Sequence, residues 1–459
     1  MERNIELCGY KTPTPIQRYC IPAINMGFDL LAIAQTGSGK TAAYLIPILN
    51  HLMGKAKKLA GPRPMHEGDR VRGEPLVVIV VPSRELAVQI FNEARKFCYR
   101  TMLRPCAAYG GAPESAQIQR IQEGCDLLIA TPGRLIALME RPSVLSLRRV
   151  KFMVIDEADE MLQADWDLDK ILSGGEQEEG NVKYMLFSAT FPTAIRQLAK
   201  HHLAETHIRI KVGRIGSTHA NIKQEVIYTD PHRKKQALWD LLGVVGRGRV
   251  IIFVNGKRTA DDVDDYLFNK GAPSTSMHSD RTQREREDAM RAFRSGDAPL
   301  LVTTSVTARG IDVRNVETVI NYDLPSMEHG GIQEYIHRIG RTGRIGHSGA
   351  AYSFYTERDE PIAKLLTMTL METGQMVPEF LEPYKPQEKE LKFEYDTDEE
   401  EPEAGDDGWG NGAGDGGWGA SNGGDGGDGW GAPTGGDATA EGAKGGNDDQ
   451  GGWGAGADW

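Results

Sequence analysis

Three short runs hold the side chains best suited to work on a phosphate: Ala34-Gln35-Thr36-Gly37-Ser38-Gly39-Lys40-Thr41, Asp156-Glu157-Ala158-Asp159 and His337-Arg338-Ile339-Gly340-Arg341-Thr342-Gly343-Arg344. In the first, Gly37 and Gly39 can take backbone angles closed to other residues, so successive N–H groups converge on a phosphate at a helix N-terminus. Lys40 then reaches the outer phosphates, and the Thr41 hydroxyl is placed to coordinate Mg²⁺. The general phosphate-loop pattern opens on glycine, whereas this run opens on Ala34. In the second run Asp156 can hold Mg²⁺ while Glu157 orients an attacking water. A solvated acidic helix start is the plain alternative, because Asp and Glu are favoured in a first turn. In the third, Arg338, Arg341 and Arg344 recur every three residues and would share one helical face. Guanidinium groups suit the charge that develops on a transferring phosphoryl group, an effect of roughly 10³ to 10⁵ in rate. A solvated basic surface is the alternative there, and Gly340 and Gly343 argue against it because they weaken a purely surface helix.

These runs need elements to hold them. The apolar stretch Asp29 to Ile33 precedes the first run and a helical apolar pattern, Ala42 to Leu49, follows it, which predicts strand, glycine turn, helix. Phe152 to Ile155 predicts a strand that leaves Asp156 at its carboxyl end, where open α/β sheets bind ligands. Leu76 to Val81 and Leu127 to Ala130 add strands to the first half, and Val250 to Val254, Leu300 to Thr303 and Val319 to Asn321 supply a second set. Strands alternating twice over with helical patterns predict an α/β protein with two tandem parallel sheets. The boundaries fall at 1–212 for the first domain, 213–222 for a glycine- and serine-containing linker, 223–387 for the second domain and 388–459 for a tail.

The net charge of −12 over 459 residues is misleading as an average. From Glu388 onward 19 Asp and Glu face only Lys389, Lys392 and Lys444, so the rest of the chain is mildly basic, 50 Lys and Arg against 46 Asp and Glu. Local charge governs contact with a polyanion, so this balance is compatible with one. The tail repeats Gly-Trp-Gly and Gly-Gly-Asp units, holds Trp409, Trp418, Trp430, Trp453 and Trp459, and has almost no aliphatic residues. Such composition cannot offset chain entropy by burial and predicts disorder. The five cysteines, with no Cys-x-x-Cys, fit neither a disulfide frame nor a zinc site and predict a reducing compartment, the cytoplasm, with nuclear passage open. No run of about 18 apolar residues predicts a membrane span.

The ordered motifs together resemble the DEAD-box RNA helicases of superfamily 2, most of all their Vasa and Belle branch. Gly9-Tyr-Lys-Thr-Pro-Thr-Pro-Ile-Gln17 matches the adenine-reading Q motif, and an Ala-first phosphate loop is normal in that family. Pro82 to Ala87, Gly110-Gly111 and Thr131-Pro-Gly-Arg134 match RNA-backbone motifs, and Ser188-Ala189-Thr190 matches the motif linking hydrolysis to unwinding. Phe253 to Asn255, Gln283 to Arg286, Thr304 to Asp312, Tyr322-Asp323 and the arginine run continue the match to about residue 385. The resemblance implies two RecA-like domains that bind ATP, Mg²⁺ and RNA. It implies ATP contacts from Lys11, Thr12, Pro13, Gln17 and the loop from Ala34 to Thr41, with Asp312 touching the nucleotide from the second domain. Catalysis falls to Lys40, Asp156, Glu157 and the fingers Arg341 and Arg344. RNA contacts fall to Arg84, Gly110, Gly111, Thr131, Pro132, Gly133, Arg134, Arg284 and Thr304, with Ser188, Ala189, Thr190, Asp159 and His337 coupling the two sites and Thr41 with Asp156 holding the metal.

The implied activity is RNA-stimulated ATP hydrolysis on single strands and short duplexes, with little sequence preference, by a monomeric core away from membranes, in translation initiation or messenger RNA handling. An ATP-gated RNA clamp, or a nucleotide-binding regulator with little turnover, are the rival expectations. The family's adenine-stacking aromatic lies 17 positions before the Q-motif glutamine, which here precedes Met1, so either a preceding segment supplies it or adenine is held more weakly. Glu160 to Trp166 and Thr307 also depart from the family's usual residues. The polar stretch Lys55 to Glu74 predicts an exposed loop whose Lys55, Lys57, Lys58 and Arg63 are available to RNA. The tail reads in three ways: as a solubilising segment, as tryptophan anchors for a protein partner, or as an acidic, aromatic competitor for the RNA groove.

Overall fold

The near-continuous apolar runs of this chain are those of strands buried on both faces, and parallel sheets are what bury them so. The computed structural model describes residues 1–386 apart from 60, 67, 164–165, 167, 174–181, 214–220, 247, 309–312, 314 and 344–347. The tail, most of the 213–222 segment, Asp312 and Arg344 therefore lie outside the described residues.

The first sheet is built from β1 (Leu30–Ala34), β2 (Val77–Val80), β3 (Pro105–Ala108), β4 (Leu127–Ala130), β5 (Phe152–Asp156), β6 (Lys183–Ser188) and β7 (Ile208–Val212). Its order is β3-β4-β2-β5-β6-β1-β7, with every pairing parallel. The second sheet comprises β8 (Ile222–Tyr228), β9 (Arg249–Val254), β10 (Ser274–Met277), β11 (Leu300–Thr304), β12 (Val316–Asn321) and β13 (Gly349–Tyr355). Its order is β10-β11-β9-β12-β13-β8, again all parallel. The α/β expectation holds. β8 opens at Ile222, which is fully buried, so the second sheet takes the last residue of the segment read as linker.

Each sheet separates two apolar layers. In the first, Leu30, Ala32, Val77, Ile79 and Val154 pack to one side, and Leu31, Ile33, Val78, Val80 and Ile155 to the other. The second sheet repeats the arrangement with Ile251, Phe253 and Leu301 against Val250, Ile252 and Val302. Register then fixes where the strands end together. Ile33 pairs with Ser188 and Asp156 with Phe187, so the phosphate loop, Asp156 and Ser188 emerge along one carboxyl edge. Val80, Ala130 and Ala108 are also in register, which sends the segments carrying Arg84, Thr131 and Gly110 to the same edge.

The Lys55–Glu74 segment is less open than its composition predicts. It contains a short helix, Ala56–Leu59, and is tied down where Arg63 pairs with the buried Asp126 and the Gly61 N–H donates to that carboxylate at 2.9 Å. Glu74 is buried beneath Arg72 and Arg148, at 2.7 and 2.8 Å. All five cysteines are free, and among the described residues no helix is long and apolar enough to cross a membrane.

Candidate nucleotide and RNA sites

The phosphate loop forms as its residues dictate. β1 ends at Ala34, the chain turns, and the helix Lys40–Met53 begins after Gly39, whose φ of 93° is open to glycine at little cost. Space demands glycine there too, because a Cβ would stand 2.6 Å from Gln17 Nε2. Gln17 buttresses the loop: its Oε1 accepts from the Thr14 N–H at 3.0 Å and its Nε2 donates to the Gly39 carbonyl at 3.1 Å. One amide hydrogen stays available for an adenine edge. Lys11, Thr12 and Pro13 are exposed beside it. Lys40 is buried and its Nζ donates to the Ala34 carbonyl at 2.8 Å, spanning the loop from end to start.

Across the sheet edge stands the acidic pair. Asp156 Oδ1 accepts from the Glu157 N–H at 3.0 Å, and Oδ2 accepts from the Tyr44 hydroxyl at 2.9 Å. Burial raises the Asp156 pKa, with Lys40 and the Tyr44 hydrogen bond opposing. Glu157 sits at φ 54°, left-handed backbone that a side-chain-bearing residue adopts only under strain, and such strain gathers at functional sites. Its carboxyl is pushed up by burial, Arg341 opposes that shift, and its Oε2 is buried without a hydrogen-bond partner. Ser38 Oγ is buried and unpartnered as well. Two orphaned oxygens at the edge that carries Asp156 and Thr41 fit a site for a hard dication and a phosphate.

The second domain reaches this site. The helix Gly331–Ile339 delivers His337, whose Nδ1 lies 2.5 Å from Glu160 Oε1 and whose Nε2 lies 3.9 Å from Asp159 Oδ2. Burial alone would lower the His337 pKa, but Glu160 foremost, then Asp159 and Glu334, lift it to about 9. Asp159 in turn accepts from the Thr190 N–H at 3.0 Å and the Thr190 hydroxyl at 2.8 Å, while Ser188 Oγ donates to the Thr190 carbonyl at 2.7 Å. The buried Ala189 lies between them, so the Ser-Ala-Thr run, the acidic run and the arginine run form one connected chain of contacts. Gly340 completes the approach: a Cβ on it would stand 2.4 Å from Thr36 Oγ1 of the phosphate loop.

One expectation fails here. Arg338 and Arg341 do not share a helical face, because the helix stops at Ile339. Arg338 is buried within its own domain and donates to Asn255 Oδ1 at 2.8 Å, the Asp323 carbonyl at 2.7 Å and Ser305 Oγ at 2.8 Å. The glycine that follows breaks the helical repeat. Arg341 lies beyond the helix, its Nε donating to the His337 carbonyl at 3.0 Å, and its charge acts on Glu157.

The residues expected at RNA gather along the same edge. Arg84, opening the helix Arg84–Phe97, lies against Gly110 and Gly111, where a Cβ on Gly111 would come within 2.2 Å of its Nη1. That nitrogen also donates to Gln283 Oε1 of the second domain at 3.4 Å. Beside it Arg286 Nη2 meets Glu85 Oε1 at 2.6 Å, with both side chains largely buried. Burial raises the Glu85 pKa and lowers that of Arg286, the mark of a pair whose desolvation is costly. Thr131 and Pro132 open the helix Pro132–Met139; Gly133 lies under the Trp166 ring, and Arg134 pairs with Glu114 at 3.0 Å. Arg284 is exposed, and Thr304 is buried at the end of β11 with its hydroxyl 3.2 Å from that of Thr307. Tyr44, Glu85 and Glu160 had not been marked as site residues by the sequence. Glu85 sits inside the Pro82 to Ala87 run, and Glu160 directly follows the acidic run; Tyr44 reads as core, and only the fold shows where its hydroxyl points.

Residues 14–198 match the DEAD/DEAH box helicase family and residues 233–346 the helicase conserved C-terminal domain. Among solved structures, S. cerevisiae Dbp5 bound to RNA and ADP BeF3 is similar at 29% identity and a TM-score of 0.69, over 82% of this chain and 91% of that one. A Dbp5 variant bound to a Gle1 variant and IP6 is similar at 30% identity and a TM-score of 0.64, over 82% and 90%. Mss116 bound to ssRNA and UDP-BeF gives 27% and 0.70, over 84% and 78%. The chain belongs to the DEAD-box helicase family, and its two parallel-sheet domains are the tandem RecA-like pair of those proteins.

Proposed function

We propose that the protein is an RNA-dependent ATPase that converts ATP and water to ADP and phosphate while opening short RNA duplexes or remodelling RNA–protein complexes. The observation that carries this reading is the meeting of Glu157, with its unpartnered oxygen, and Arg341 from the other domain beside Lys40 and Asp156. Mg²⁺, when bound, would neutralise charge across the β- and γ-phosphates, and Thr41 and Asp156 would hold it. Lys40 leaves the Ala34 carbonyl for the γ-phosphate. Glu157 orients the attacking water, and Arg341 stabilises the charge that develops on the transferring group. Arg344 and Asp312 take part by resemblance.

Because Arg341 and His337 come from the second domain, the constellation is complete only when the domains meet. RNA lying along Arg84, Gly110, Gly111, Thr131, Gly133, Arg134, Arg284 and Thr304 spans both domains and favours that meeting. The Dbp5 and Mss116 structures similar to this chain include RNA-bound ones, which supports the assignment. Contacts of this kind go to phosphate and sugar and give little sequence preference. A place in the Vasa and Belle branch, a role in translation initiation or messenger RNA handling, a cytoplasmic setting and a tail that docks a protein partner belong to the same proposal. The buried Arg286–Glu85 bridge between domains favours a second reading, a long-lived ATP-gated RNA clamp.

Glu157→Gln separates these readings from an inactive nucleotide binder. Turnover is expected to fall on the order of 10³-fold, the scale of a lost general base, while ATP and RNA stay bound together in a filter-binding assay. Normal turnover in this variant would overturn the role given to Glu157.

A further inference from the structure

Tyr44 lies in the core of the first domain, fully buried, its ring 5.0 Å from that of Phe187. A tyrosine used for packing alone gains nothing from a phenol in such a place, and a buried hydroxyl costs stability unless it is bonded. This one is bonded at the site. It stands one helical turn beyond Thr41 on the helix Lys40–Met53, so the two side chains neighbour each other. It donates to Asp156 Oδ2 at 2.9 Å, across 112 residues of sequence.

We propose that Tyr44 is a positioning residue for the metal, its hydroxyl holding Asp156, which with Thr41 is assigned to hold Mg²⁺. The inference rests on that assignment. With Oδ1 held by the Glu157 N–H and Oδ2 by Tyr44, the Asp156 carboxylate has one orientation, and each oxygen keeps a lone pair for the ion or its water. Partners of this kind, one bond removed from a metal, typically contribute 10- to 100-fold in metal affinity.

The test uses the full chain and a fluorescent ADP analogue, its affinity measured in EDTA and in saturating Mg²⁺; the ratio of the two dissociation constants is the metal coupling. Tyr44→Phe keeps the ring against Phe187 and removes the hydroxyl alone. The expected result is a coupling reduced about 10-fold, with the affinity in EDTA unchanged within about 2-fold. Asp156→Asn should reduce the coupling at least as much, and the double variant should lose little more than Asp156→Asn does. If Asp156→Asn lowers the coupling and Tyr44→Phe leaves it alone, the proposal is wrong and the metal assignment stands. If neither variant changes the coupling, the metal assignment falls and takes the proposal with it. A Tyr44→Phe protein that binds more weakly in EDTA with its coupling intact would mean a packing role only, and would also overturn the proposal.

Discussion

The two domains meet in two patches of opposite character. Beside the phosphate loop, His337 lies against Glu160 and Asp159, Arg341 acts on Glu157, and Gly340 abuts Thr36. Along the line of Arg84 and Gly111, Arg286 is closed onto Glu85 and Gln283 onto Arg84. The first patch contains an imidazole whose pKa is lifted by cross-domain carboxylates and a strained backbone at Glu157. The second is an arginine–carboxylate pair with its charges already matched. The difference teaches that one patch is built to respond to what enters the site, and the other to hold the domains in register once they have closed.

That contrast can be broken at either patch. Arg341→Ala should act on chemistry, lowering RNA-stimulated hydrolysis by roughly 10³- to 10⁵-fold, the range for a lost arginine finger. Nucleotide affinity should change little, and steady-state kinetics with a binding titration would separate the two. Arg286→Met should act on closure. Removing one partner of a buried pair strands the other charge at a cost of about 3–5 kcal/mol. RNA affinity in the presence of a non-hydrolysable ATP analogue should therefore fall more than about 100-fold, while Glu85→Gln added to it should recover part of the loss. RNA binding indifferent to both variants would show that this patch does not hold the closed state.

The smallest expected effect sharpens the comparison. His337 is lifted from its ordinary 6.5 to about 9 by its cross-domain carboxylates. A histidine raised by closure contributes to the closed state fully below about pH 6.5, and that contribution is lost as pH rises through 9. The analogue-trapped RNA complex should loosen over this interval, and His337→Gln should flatten the profile. In the Arg286–Glu85 patch arginine stays charged throughout, so any dependence that survives His337→Gln would report Glu85, whose pKa burial raises.

The sequence showed the site more clearly than the edges of the fold. Lys40, Asp156, Glu157 and the arginine run carry their chemistry in their residue types, and the strands behind them are apolar throughout because both faces are covered. β3, Pro-Cys-Ala-Ala, and β10, Ser-Thr-Ser-Met, stand at sheet edges with half of their residues only partly buried, and have no long aliphatic run to show them. Arg338 was misplaced because spacing alone cannot see a helix end at Gly340 or the Asn255, Ser305 and Asp323 partners it finds at long range. Tyr44 and the Arg286–Glu85 pair were invisible for the same reason: each joins residues more than 100 positions apart, and only the register of the strands or the meeting of the domains brings them together.

The central claim is that hydrolysis waits on RNA because the arginine and the acidic pair sit on different domains. Steady-state ATP hydrolysis, measured with no nucleic acid, with single-stranded RNA and with DNA of equal length, tests it most directly. Strong stimulation by RNA, little by DNA and a low rate without either is the expected result. A rate that is the same in all three conditions would contradict the coupling of the two sites.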